Sequence, residues 1–122
     1  MVKTAILYSG KLYDIQAITI NERCPVKEFL DNLGLSDQKK IFALLQRSAD
    51  SGLPKNEEKF KKLHGEDIFE FKSFQVRILC FVGKERSIIL TNGFIKKRVR
   101  TPGSEIERAK DLRKEYEKGR QK

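Results

Sequence analysis

Arg77 interrupts an apolar run, Phe74-Gln75-Val76-Arg77-Ile78-Leu79-Cys80-Phe81-Val82. In a strand, Val76, Ile78 and Cys80 would point one way and Gln75, Arg77, Leu79 and Phe81 the other. A guanidinium cannot usefully lose its proton, so beneath a surface it needs an anion or an open groove. Two readings stand side by side: a structural arginine paired with Glu70 on the neighbouring strand, or a clamp for a phosphate group.

Further along, Asn92-Gly93-Phe94-Ile95-Lys96-Lys97-Arg98-Val99-Arg100-Thr101-Pro102 carries Ser87–Leu90, an apolar strand, straight into four cations within five positions. Strand ends and loops are where a rigid scaffold presents functional side chains. Cations fixed there suit a polyanion. Lys61, Lys62 and Lys72 are each readable as solvated lysines, but with Arg77 and Lys96, Lys97 and Arg98 they could converge on one groove. His64, in Lys62-Leu63-His64-Gly65, is the single histidine. Histidine has the one side chain whose unperturbed pKa suits proton transfer near neutrality, though a histidine before a loop glycine can equally be simply exposed.

Other chemistries lack their residues. No second histidine, cysteine pair or carboxylate cluster forms a metal set, no glycine-rich loop suits a nucleotide, and no serine elbow accompanies His64. No cofactor is expected. Cys24 and Cys80 lie far apart and read as reduced thiols of a cytoplasmic protein. No signal peptide is recognisable, and no stretch approaches the ~18 apolar residues of a membrane span.

The 122 residues suit one domain spanning 1–122, with 39% hydrophobic and 35% charged residues. The formal net charge of +9 is unevenly spread. Residues 84–122 carry 13 basic and 6 acidic side chains, whereas residues 1–83 carry 13 and 11. That asymmetry points to a phosphate backbone or an acidic protein, the alternative being a solvated basic tail.

The elements that must hold these groups are set by periodicity. Lys3–Tyr8 and Leu12–Ile20 read as strands around Ser9-Gly10. Pro25 opens a helix with Val26, Phe29, Leu30 and Leu33 on one face, ended by Gly34. Ser36 is the expected cap of a second helix bearing Ile41, Leu44 and Leu45, ended near Gly52. Residues 56–62 read as a charged, exposed link. Ile68–Lys72, Phe74–Val82 and Ser87–Phe94 form an antiparallel meander. Pro102 opens a last helix, with Thr101 or Ser104 as cap, Ile106, Ala109, Leu112 and Tyr116 on one face, and Gly119 as its end. The expected fold is α+β: a small twisted antiparallel sheet, two N-terminal helices packed on one face, and a C-terminal helix.

The order of these motifs resembles the phage-derived HigB-like branch of the RelE/ParE toxin superfamily. Phe69-Glu70-Phe71-Lys72 takes the place of an aromatic-Glu-Leu-Arg strand, and Arg77 that of an arginine-bearing strand. Gly93-Phe94-Ile95-Lys96-Lys97, Thr101-Pro102 and Ile106 with Ala109 come next in the branch's order, over roughly residues 12–117. Two positions depart from the pattern. Asn92 stands where many relatives have histidine, and Lys72 where they have an arginine able to grip phosphate bidentately.

The resemblance implies a RelE-like, microbial-RNase-like fold and the toxin of a type II toxin–antitoxin pair. It implies an endoribonuclease that enters the ribosome and cuts mRNA without a metal, through attack of the 2′-hydroxyl on the adjacent phosphate. Arg77 and Lys72 would then stabilise the transition state, Lys96 or Lys97 would hold the backbone, and His64 would carry a proton. Lys61, Lys62, Lys97, Arg98 and Arg100 would bind RNA. The implied partner is an antitoxin of helix-turn-helix type, through which alone the pair would touch operator DNA. The alternatives are a ParE-like gyrase inhibitor and a non-catalytic RNA-binding regulator.

Overall fold

The computed structural model describes residues 2–63, 65 and 67–120. Its strands are β1 (Val2–Ser9), β2 (Asp14–Ile20), β3 (Phe60–Lys62), β4 (Phe69–Ser73), β5 (Val76–Val82) and β6 (Ser87–Ile95). Its helices are α1 (Pro25–Asp31), α2 (Leu35–Ser51) and α3 (Gly103–Arg120). The strands form a six-stranded sheet in the order β1-β2-β6-β5-β4-β3.

Three features correct the expected fold. The sheet is mixed, because β6 returns beside β2 and runs parallel to it, with Ile15 opposite Ile88 and Ala17 opposite Leu90. The chain opens with the β1–β2 hairpin, so the two helices come after strands and are not N-terminal. The helices also do not share one face. α1 and α2 cover Ile15, Ala17, Ile78, Cys80 and Leu90 through Val26, Leu30, Ile41, Leu45 and Ala49. α3 covers Ile18, Leu79, Phe81 and Ile89 on the opposite face through Ala109, Leu112 and Tyr116. Both faces of β5 are therefore covered, which explains its unbroken apolar run. Each large apolar side chain buried this way contributes roughly 1.5–3 kcal/mol.

Smaller departures have local causes. Residues 56–62 hold a short strand as well as a link, since Phe60, Lys61 and Lys62 pair with Phe71, Glu70 and Phe69. Phe60 is buried while Lys61 and Lys62 stay exposed, and three residues are too few to show a period. α2 starts one residue before Ser36, at an N-cap Gly34 without a side-chain bond. α3 runs through Gly119.

A bulge in β6 sets which face the end of that strand presents. Leu79 pairs with Asn92 but Cys80 with Leu90, leaving Thr91 as the additional residue. The Thr91 hydroxyl lies 3.1 Å from the Leu79 carbonyl oxygen and 2.7 Å from Asn92 Oδ1. An inserted residue reverses the alternation beyond it. Leu90 thus faces α1 and α2, while Asn92 and Phe94 face α3.

Candidate nucleic-acid interface

Alternation along paired strands carries a row of cations onto one face. Lys61 of β3 lies opposite Glu70 of β4, and Glu70 opposite Leu79 of β5. Lys72 lies opposite Arg77, and Arg77 opposite Phe94 of β6. Lys96 comes two residues after Phe94, its backbone N–H donating to the Gln75 carbonyl at 2.8 Å. Since Leu79 and Phe94 belong to the α3 side, so do Lys61, Glu70, Lys72, Arg77 and Lys96.

The result is an open groove of about 440 Å³ lined by Lys61, Leu63, Glu70, Lys72, Lys96, Val99, Arg100, Thr101 and Ile106. Four cations border it. The Lys72 ammonium donates to the Glu57 carbonyl at 3.1 Å. Its pKa is held below the ordinary lysine range, first by burial and then by the positive charges of Arg77, Lys61 and Lys96, with Glu70 opposing them. Mutual repulsion of that kind marks a place where an added anion is welcome.

Arg77 lies beneath the groove and does not line it. It is 8% exposed and Glu70 is 2% exposed. Its Nη1 donates to the carbonyl oxygens of Phe74 and Val76. Its Nε stands 3.8 Å from Glu70 Oε1 and makes no hydrogen bond among the described residues. Burial lowers its pKa and Glu70 raises it. The geometry is that of the structural pair with Glu70, whose other oxygen accepts from the Thr101 hydroxyl at 2.6 Å. Thr101 is thereby a latch between the cationic segment and the sheet.

The remaining candidates separate. Arg100 joins Lys61, Lys72 and Lys96 in the groove lining. Lys62 lies 3.3 Å from Asp67 instead, and Lys97 and Arg98 are exposed outside the lining. His64, the candidate proton carrier, lies outside the described residues. Asn92 is fully buried and donates to the Glu105 carbonyl at 3.2 Å and carboxylate at 2.9 Å, so it secures the first turn of α3. Among the described residues, no three His, Cys, Asp or Glu side chains gather as metal ligands would.

Sequence reasoning missed Leu63, Val99 and Ile106 as groove walls and Thr101 as a partner of Glu70. The Thr101–Glu70 bond spans 31 residues, and no local pattern announces it.

A family model described as "Phage derived protein Gp49-like (DUF891)" matches residues 28–114, a stretch that contains every groove residue. The chain belongs to this Gp49-like family. It is a RelE/toxin-like family, consistent with the toxin of a toxin–antitoxin system and implying an antitoxin as partner. No curated protein matches the chain. In this Gp49-like protein, no described helix is long and apolar enough to cross a membrane.

The run Gly93-Phe94-Ile95-Lys96 now has physical meanings. Gly93 faces α1, where a Cβ would lie 2.4 Å from Phe29 Cδ2 and 2.8 Å from Ile78 Cδ1. Phe94 turns to the α3 side, and Lys96 enters the groove.

Proposed function

We propose that this protein is the toxin of a type II toxin–antitoxin pair and acts as an mRNA endoribonuclease on ribosome-bound message. The observation that carries this reading is the gathering of Lys61, Lys72, Lys96 and Arg100 around one open groove. A single RNA strand passing through it would place successive phosphates against fixed cations, which need no reorganisation as negative charge develops.

In the reaction, the 2′-hydroxyl oxygen attacks the adjacent phosphorus while its proton passes to a base, for which His64 is the candidate. The bond from phosphorus to the 5′-oxygen breaks, and that oxygen takes a proton. The products are a 2′,3′-cyclic phosphate and a 5′-hydroxyl. Lys72 stabilises the charge on the phosphoryl oxygens, and its lowered pKa makes its ammonium a better proton donor to the leaving oxygen. Lys61, Lys96 and Arg100 hold the neighbouring phosphates. Arg77 acts from below by fixing Glu70. The matching antitoxin would be acidic or would cover the groove, and would carry any contact with operator DNA.

The test is induced expression with mapping of RNA ends. Growth arrest with new 5′-hydroxyl mRNA ends at codons, both lost in Lys72→Ala/Lys96→Ala, is the expected result. Arrest with intact message and stalled gyrase–DNA adducts would overturn the nuclease reading in favour of a gyrase inhibitor.

A further inference from the structure

Phe74 is the first of the two residues that turn β4 into β5, and its φ is +56°. Glycine or asparagine is the ordinary occupant of such a position, because a side chain there is strained. Yet the residue is 71% exposed. A bulky residue held at positive φ and turned into water gains nothing for the core, and strain of that kind collects at functional positions.

The surroundings specify the use. The Phe74 carbonyl accepts from the buried Arg77 guanidinium, so the turn is tied to the sheet. Gln75, the next residue, accepts from the Lys96 backbone N–H at 2.8 Å. Lys72 precedes Phe74 by two residues. Both lysines line the groove. Lys40 of α2 places its ammonium 4.2 Å from the ring centroid, which occupies one face and leaves the exposed ring to a second flat group.

We propose that Phe74 is a stacking platform for one unpaired base of the RNA strand whose phosphates lie in the groove. This rests on the reading of the protein as an RNA-binding toxin. Every base has a π-face, so an aromatic ring beside a cationic channel holds a single strand without selecting a sequence. Lys72 and Lys96 stand on the α3 side of the turn and Lys40 on the α2 side, so a strand leaving the groove across the turn meets cations on both sides of the ring, which suit a phosphate chain better than an apolar protein surface.

The probe is a single-stranded RNA oligonucleotide, compared with a strand of equal length lacking its bases, titrated against the purified full chain. Phe74→Ala should weaken binding of the complete strand about tenfold and leave the base-free strand unaffected. Phe74→Tyr should bind as the parent does. Phe74→Leu should be as weak as Phe74→Ala, because it keeps an apolar side chain but has no ring. The chain has no tryptophan, so Phe74→Trp supplies a single indole, excited at wavelengths its tyrosines do not absorb, whose emission the complete strand should quench and the base-free strand should not. Phe74→Gly should withstand more denaturant than the parent yet bind the complete strand as weakly as Phe74→Ala.

Equal affinity of the parent chain for both strands, or unchanged affinity of Phe74→Ala for the complete one, would overturn the platform alone. Unchanged RNA affinity with lost antitoxin binding would overturn it in favour of a protein-docking ring. A parent chain that binds neither strand would overturn the RNA reading as well.

Discussion

Arg77 Nε lies 3.8 Å from Glu70 Oε1 beneath the groove, and both side chains are closed off from water. Removing one member of a buried pair leaves the other charge uncompensated, which costs about 3–5 kcal/mol. Arg77→Ala should therefore lower stability by that amount, besides freeing the Phe74 and Val76 carbonyls. Denaturant unfolding measures it. A fully stable Arg77→Ala protein would show that the pair contributes little and would return Arg77 to direct phosphate contact.

Thr101 controls where the cationic segment lies. Thr101→Val deletes the donor to Glu70, a bond to a charged group worth about 1.5–3 kcal/mol. Arg100 should then drop out of register with Lys61 and Lys72, while Lys96 stays tied to Gln75 through its backbone N–H. The slope of RNA affinity against salt should fall by about one counterion, and Thr101→Ser should restore it. An unchanged slope in Thr101→Val would mean that the segment holds its place without the latch.

Lys72 gives the groove a pH signature. Its folded pKa lies below the unfolded one, through burial first and then its cationic neighbours, so the unfolded chain binds more protons in the interval below 10.5. Stability must rise with pH across that interval. Lys72→Met removes the term, and should be more stable than the parent at neutral pH while binding RNA more weakly. The stability gap should close as pH approaches 10.5. Urea unfolding from about pH 8 upward tracks it, and a constant gap would contradict the assignment.

Gly93 is required by the α1 side of the sheet, away from the groove. A Cβ there would overlap the Phe29 ring and the Ile78 side chain. Gly93→Ala should destabilise by about 1–3 kcal/mol, as overpacked cores do. Trimming the ring with Phe29→Leu in the same chain should recover part of the loss. Additive losses in the double variant would place the strain elsewhere.

Much of the local structure was legible because the periods were strong. The turn at Ser9-Gly10, the proline at the start of α1, the spacing of Ile106, Ala109, Leu112 and Tyr116, and the alternation around Arg77 each declared their element. β3 escaped notice because Phe60, Lys61 and Lys62 read as charged linker until Phe71, Glu70 and Phe69 are placed beside them. The bulge at Thr91 was equally silent, and it decides that Asn92 reaches Glu105. Of the expected caps, Ser36 lies inside α2 behind the N-cap Gly34, and the Thr101 hydroxyl donates to a carboxylate 31 residues away.

From the amino-acid order alone came the basic excess, the α+β character, the toxin-like resemblance and the set of candidate cations. These depend on composition and on neighbours a few residues apart. The tertiary structure decided that β6 runs parallel to β2, that α3 closes the face opposite α1 and α2, and that Lys61, Lys72, Lys96 and Arg100 share one groove while Lys62, Lys97 and Arg98 do not. It also drew Arg77 under the surface to Glu70 and left Phe74 in water. Such outcomes rest on pairings between distant strands, where a one-residue shift in register moves a side chain to the other face, and no local pattern encodes that shift.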